Sequence, residues 1–290
     1  MTGPDLPPLR DVIAAHGLGA KKSLGQHFLL DLNLTAKVAR AGGVGAGDRV
    51  VEVGPGPGGL TRALLAAGAE VVAIERDARC MAALADLEAA YPDRLTAVDA
   101  DALTVDVGDL GLARPIKIVA NLPYNIATEL LVGWLLANHK PPRPLWSAMA
   151  LMFQREVADR ILAEPGTKAY GRLSVIAQAA ARPHRAFNLP ASAFTPPPKV
   201  ASSVVSFAPA PERLDRLDRL ETVTRAAFAQ RRKMLRTSLK PVFGDRLITV
   251  LQAADLRDDQ RAETVSVDQF VRLARQIDAG PPAGPRASTP

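Results

Sequence analysis

One cysteine, Cys80, is all the thiol chemistry that 290 residues supply. It excludes an internal disulfide and any multi-cysteine zinc or iron–sulfur centre, and leaves Cys80 to be read as a small buried hydrophobe on a helix. Histidine is sparse as well: His16, His27, His139 and His184 stand without metal-ligand spacing, so no metal is expected. Long apolar runs are missing too. The stretch from Leu130 to Ala137 is broken by Gly133 and bordered by Asn138, His139 and Lys140, well short of the ~20 apolar residues of a membrane-spanning helix. The opening residues contain acids and prolines and lack a continuous apolar core, so no secretory signal is read and a cytoplasmic compartment is expected.

What is present is ordinary in bulk. Hydrophobic residues at 48% and charged residues at 23% lie near soluble globular averages, which excludes bulk disorder. The length suits one large or two modest domains. Lysine and arginine number 36 against 30 acids, a net charge of +6, which permits a polyanionic partner without requiring one. The excess is concentrated: Arg225, Arg231, Arg232, Lys233, Arg236 and Lys240 share one stretch with no acid. Read as a single helix, that stretch puts Arg225, Arg232 and Arg236 within about a quarter of the circumference, with Phe228, Leu235 and Leu239 beside them. Such a helix docks by its apolar side and presents cations to a polyanion or to solvent.

Apolar runs at Arg49 to Val53, Glu70 to Ile74, Leu95 to Val98, Ile116 to Ala120 and Ser147 to Gln154 alternate with helical patterns. The repeat predicts an α/β fold with a mostly parallel sheet and ligands at the carboxyl ends of its strands. A further strand is expected at Ser202 to Phe207, and the chain turns charged and helical after it. The expected domains are an amino-terminal arm (1–30), an α/β domain (31–208), a smaller all-helical basic domain (209–278) and a disordered tail (279–290).

Gly54-Pro55-Gly56-Pro57-Gly58-Gly59 follows the first long strand and opens a helix, where glycine amides approach a ligand that side chains would exclude. The pattern fits a dinucleotide or S-adenosylmethionine; with no Lys-Ser or Lys-Thr after the glycines, it is not a nucleoside-triphosphate loop. Glu75, just past the second strand, is placed to accept the hydroxyls of a ribose. Asp101, with Asp99 and Asp106 as competitors, is a candidate for the exocyclic amine of adenine.

Asn121-Leu122-Pro123-Tyr124 ends the fourth strand. An adenine amino nitrogen is a poor nucleophile because its lone pair is delocalised into the ring. An Asn oxygen and the backbone carbonyl of a following residue can hold the amino hydrogens and orient the nitrogen, while Tyr124 stacks on a flipped base. Methylation at pyrimidine C5 would need a cysteine here, and hydride transfer leaves the tetrad unexplained.

In order along the chain, KKSLGQHFL (21 to 29), VVEVGPGPGGLT (51 to 61), VAIERD (72 to 77), DADAL (99 to 103), NLPYNI (121 to 126), MFQREVADRILAEPGTKAYGRLSV (152 to 175), FTPPPKV (194 to 200) and FAQRRKMLRTSL (228 to 239) resemble the bacterial small-subunit ribosomal RNA adenine dimethyltransferases. The resemblance implies a Rossmann-like S-adenosylmethionine-dependent methyltransferase domain. It implies transfer of four methyl groups to the N6 atoms of two adjacent adenines in the 3′-terminal hairpin of 16S rRNA, within an immature small subunit, by a monomer. The implied cofactor contacts are His27, Leu29, Gly54, Glu75, Asp101 and Asn121, joined by Gly56 of the glycine loop. Asn121, Leu122, Pro123 and Tyr124 form the implied amino-group site, and Phe194 resembles a second aromatic that sandwiches the base. Arg225, Arg232, Lys233 and Arg236 become RNA-phosphate contacts. Two positions depart from the pattern: His27 stands where many relatives have Asn, and Ala201 where Asp is common. A large-subunit RNA methyltransferase of the antibiotic-resistance type, and a catalytically silent assembly factor, are the competing readings.

Overall fold

A computed structural model describes residues 4–19, 26–140, 144–211, 214, 216–230 and 232–277. The chain divides into two compact units, Met1–Asp159 with Ala181–Pro209, and Arg160–Ala180 with Ala210–Pro290. The chain crosses between the units three times, and the expected change of character near residue 209 coincides with the third crossing. Residues 160–180, expected in the α/β domain, belong instead to the second unit, because their apolar side chains pack among helices there. The expected disordered tail lies outside the described residues.

The first unit opens with α1 (Leu9–Ala15), β1 (Phe28–Leu29) and α2 (Leu32–Ala41). There follow β2 (Arg49–Val53), α3 (Gly59–Ala66), β3 (Glu70–Glu75), α4 (Ala78–Ala90), β4 (Leu95–Asp99), β5 (Ile116–Ala120), α5 (Ala127–Asn138) and β6 (Trp146–Gln154). After α6 (Arg155–Ile161) and α7 (Arg172–Ala180), the chain adds β7 (Ala181–Leu189), β8 (Phe194–Thr195) and β9 (Ser202–Pro209).

Seven strands form one sheet in the order β4-β3-β2-β5-β6-β9-β7, and β1 pairs antiparallel with β8. The first five strands of that order are mutually parallel, and β9 runs antiparallel to both of its neighbours. Its central strands are largely apolar because both faces are covered, with Glu52 in β2 and Lys117 in β5 as exceptions. Val50, Val71, Ala73 and Val119 bury against Val38 and Ala39 of α2 and Leu60, Leu64 and Leu65 of α3. Asp31 caps α2, its carboxylate accepting from Asn33 N at 2.8 Å, and Asp77 caps α4. From β2 the chain proceeds to β3 on one side and later to β5 on the other. A topological switch point therefore lies beside the carboxyl end of β2, where open α/β sheets bind ligands.

The amino-terminal arm belongs to this unit. Val12 and Leu18 pack on Ala83 and on Cys80, which is fully buried in α4 as expected. Arg62 donates to the Pro7 carbonyl at 2.7 Å. β7 was not expected from its sequence; the alternation of ARPHRAFNL is interrupted by Pro183 and by a register shift between Arg185 and Phe187.

The second unit is helical: besides α7 it holds α8 (Leu217–Phe228), α9 (Leu235–Ser238), α10 (Lys240–Phe243), α11 (Leu247–Ala253) and α12 (Val267–Arg275). Phe228 meets Tyr170 edge-on and packs on Phe270, with centroids 6.1 and 5.5 Å away. The Tyr170 hydroxyl donates to Val265 O at 2.8 Å, and Ser266 with Gln269 forms a capping box on α12.

The single basic helix expected from Arg225 to Lys240 does not exist. α8 stops at Phe228, and Leu235 N and Arg236 N donate to Gln260 O and Asp258 O. These long-range partners outcompete helix propagation, and Pro241 stands in the first turn of α10, where its missing N–H costs no helical bond. Arg225, Arg232 and Arg236 therefore share no helical face. Arg225 pairs with Glu221 at 2.8 Å and Arg236 with Asp258 at 3.7 Å. Arg232 and Lys233 are exposed and carry no ion pair among the described residues. Among the described residues no helix is long and apolar enough to cross a membrane.

Candidate active site

The carboxyl ends of β2, β3 and β5 border a cleft of about 200 Å³. Its walls are the glycine loop with Leu60, Glu75 at the end of β3 and Arg76 beyond it, residues 121–126 after β5, and residues 26–29 from the arm. Arm and loop meet closely. A Cβ on Gly56 would stand 2.9 Å from the Phe28 ring, and one on Gly59 would stand 2.7 Å from the Leu29 carbonyl oxygen. Gly56 also has φ +55°, which side chains disfavour.

Glu75 is buried at the edge of this cleft. Oε1 accepts from Arg76 N and Asp77 N, both at 2.9 Å, and Oε2 accepts from Gly56 N at 3.1 Å. Burial nevertheless raises its pKa, outweighing those donors. A carboxylate has about four acceptor positions, so Oε2 retains one for a ligand hydroxyl. Asp77, next to it, is held well below the usual carboxylate range, first by the Arg79 guanidinium.

Asn121 Nδ2 donates to His27 O at 3.0 Å. Because a carbonyl only accepts, this bond sets the orientation of the amide and leaves Oδ1 as the open acceptor. The Pro123 carbonyl accepts from Ile126 N and Ala127 N, both at 3.1 Å, whereas no described backbone amide donates to the Leu122 carbonyl. Between the carbonyls of Leu122 and Pro123, that of Leu122 is therefore the open acceptor.

The Tyr124 hydroxyl shares a 2.6 Å hydrogen bond with Ser202 Oγ, and burial raises its pKa. One face of its ring stacks on His27, at 5.7 Å and 29°. His27 Nδ1 donates to Pro196 O at 2.8 Å. His27 thus engages the site through its side chain and its backbone at once. At Ala201, the other departure, the backbone carbonyl accepts from Arg155 N at 2.9 Å.

His27, Leu29, Gly54, Gly56, Glu75, Asn121, Leu122, Pro123 and Tyr124 thus come together in the cleft. Two expected residues do not. Phe194 is 2% exposed, paired through β8 with Leu29 and packed in the apolar core rather than on the cleft wall. Asp101 lies beyond the wall, where its carboxylate accepts from Leu103 N and Arg76 Nη1, both at 3.0 Å. Of its competitors, Asp106 caps a short 3-10 turn and Asp99 is exposed.

Sequence reasoning passed over Glu52, which lines the cleft from β2 and is 1% exposed. The signal was available: one carboxylate inside an otherwise apolar run. Thr61 Oγ1 donates to its Oε2 at 2.7 Å. Burial first, and then the charge of Glu75, pushes Glu52 up from 4.5 to about 8. Across that interval the native state holds a proton that the unfolded chain releases, so Glu52 costs stability as pH rises. In urea unfolding, stability should fall between pH 5 and pH 8 by on the order of a few kcal/mol more in the wild type than in Glu52→Gln. Equal losses would show that Glu52 titrates normally.

Cleft geometry of this kind is compatible with several nucleotide-based cofactors; likeness to known proteins narrows it. The family model for ribosomal RNA adenine dimethylase matches residues 17–279. A ribosomal RNA small subunit methyltransferase A from Xanthobacter autotrophicus is 58% identical over 272 residues, 93% of each chain. Among solved structures, a dimethyladenosine transferase from Plasmodium falciparum shares the fold at TM-score 0.70 and 24% identity, covering 85% of this chain and 96% of that one. The 23S rRNA methyltransferase ErmE superposes at TM-score 0.65 and 25% identity, covering 87% of this chain and 99% of that one. With nearly the whole chain matched, and with a relative this similar along its length, the protein belongs to the ribosomal RNA adenine dimethylase family.

Proposed function

We propose that this enzyme transfers methyl groups from S-adenosylmethionine to the N6 amino groups of two adjacent adenines in the 3′-terminal hairpin of 16S rRNA, on an immature small subunit in the cytoplasm. The observation that carries the reading is the pair of open acceptors, Asn121 Oδ1 and the Leu122 carbonyl, at the end of β5. The cleft suits the cofactor: Glu75 keeps one acceptor position for a ribose hydroxyl, and Leu29, Leu60 and Ile126 give apolar walls. When bound, it would supply an electrophilic methyl group on a sulfonium. Asn121 and Leu122 hold the two amino hydrogens, which turns the nitrogen lone pair out of conjugation and toward that methyl group. With the cofactor bound, the C–N bond would form as the C–S bond breaks, the electron pair of the latter would stay on sulfur, and the surplus amine proton would leave to water. Tyr124, clamped by Ser202 and His27, offers its remaining ring face to the flipped base.

The small-subunit substrate is favoured over the large-subunit one by 58% identity to a small-subunit enzyme against 25% to ErmE. Incubation with labelled S-adenosylmethionine and under-methylated small subunits, followed by nucleoside mapping, tests this directly. Dimethyladenosine in the 3′-terminal hairpin is expected; label confined to 23S rRNA would overturn the assignment.

In the second unit the RNA contacts rest on Arg232 and Lys233, whose charges are not spent on acids, more than on Arg225 and Arg236. Reversing both charges should lower the slope of log affinity against log salt by roughly 1.4–1.8, since each phosphate contact contributes about 0.7–0.9. Filter binding to small subunits over a salt series reads this out. An unchanged slope would mean that the basic segment is a solvated surface.

A further inference from the structure

Glu52 lines the cleft but has no task in the methyl-transfer scheme. It sits two residues before Gly54, in a strand that is otherwise valine after Arg49. The Thr61 hydroxyl is its hydrogen-bond donor, so an ionised Glu52 would be buried with most of its acceptor positions unused. No lysine or arginine among the described residues pairs with it. The other charged and titratable groups on the cleft wall are Glu75 at the end of β3, Arg76 beyond it, His27 on the arm and Tyr124 after β5. Of these, Glu75 raises the pKa of Glu52 further. Arg76 is drawn to Asp101, His27 to Pro196 and Tyr124 to Ser202. A carboxyl so placed is neutral near pH 7 until a cation enters the cleft, because an opposite charge within about 4–6 Å favours the ionised form.

This inference rests on the S-adenosylmethionine reading. In that cofactor the sulfonium is bonded both to the ribose and to the methyl group in transit. With the ribose at Glu75 and the amine at Asn121, connectivity puts the sulfonium between them, in the cleft that Glu52 lines. We propose that Glu52 senses the charge of the methyl donor: it gives up its proton to solvent when the sulfonium binds, and takes one back when transfer leaves a neutral thioether. The charged donor is thereby held more tightly than its spent product, S-adenosylhomocysteine, and loss of the positive charge helps to release the product. The balance closes, because transfer itself frees one amine proton.

Calorimetry of the full-length protein at pH 7, in two buffers of different ionisation enthalpy, counts the protons released. The wild type should release close to one proton more than Glu52→Gln on binding S-adenosylmethionine, and no more than it on binding S-adenosylhomocysteine. The cofactor's own amino group titrates against either protein and drops out of the comparison. From pH 6 to pH 8 the preference for donor over product should rise roughly 25- to 50-fold in the wild type and stay flat in Glu52→Gln. Equal proton counts in the two proteins would overturn charge sensing while leaving the cofactor reading intact; no binding of S-adenosylmethionine to the wild type would overturn both. If Glu52→Gln fails to fold, the wild-type series decides alone, since a flat preference across that pH range is incompatible with the proposal.

Discussion

Replacing Asn121 by alanine should cut methyl transfer by roughly 100- to 1,000-fold in kcat, the scale set by deleting one preorganised hydrogen-bonding group at a reacting centre. The amide spans two elements: Nδ2 is fixed on the His27 carbonyl and Oδ1 is left for the target amine. Alanine removes both bonds. The target nitrogen keeps only the Leu122 carbonyl, and its lone pair returns to conjugation with the ring. Loss of the His27 bond should loosen the arm by no more than one ordinary hydrogen bond, about 0.5–1.5 kcal/mol, so the variant should fold and bind cofactor nearly as well as the wild type. Single-turnover transfer to under-methylated small subunits, with calorimetry of the cofactor as control, separates the two effects. Turnover within a few-fold of the wild type would remove Asn121 from the reacting centre.

Glu75→Ala should act on the other term, weakening S-adenosylmethionine binding roughly 10- to 150-fold, the equivalent of one charge-assisted hydrogen bond of about 1.5–3 kcal/mol. One bond, rather than two, follows from the donors already in place. Arg76 N, Asp77 N and Gly56 N occupy three of the carboxylate's acceptor positions, so a second ribose hydroxyl could bind only by displacing Gly56. The substitution also strips those three amides of their partner. Glu75→Gln, which preserves the shape but sets an NH₂ group against N–H donors, should fall between alanine and wild type. In either variant Glu52 should titrate lower, because the charge of Glu75 is one of the causes that raise it. Calorimetry reads the affinity; an unchanged value would place the ribose elsewhere in the cleft.

What could be read directly from the sequence was whatever depends on neighbouring residues. The strands β2 to β6, the glycine loop with its left-handed positions and the Asn-Leu-Pro-Tyr turn are each set by local periodicity or by backbone freedom. They appear within a residue or two of expectation, and they carry most of the cleft. Tertiary structure decided the rest, because burial and hydrogen-bond partners come from residues far along the chain. Asn121 owes its orientation to His27, and the His27 ring is held by Pro196, 94 and 169 residues away. The resemblance implied a stacking ring at Phe194, but aromatics serve both sites and cores, and pairing with β1 put it in the core. The basic helix failed for the same reason: helical spacing assumes that the chain continues, and bonds to residues 258–260 end it. Glu52 shows the limit most clearly, since its position in a strand was plain, while its burial beside Glu75 exists only once β2 and β3 are paired.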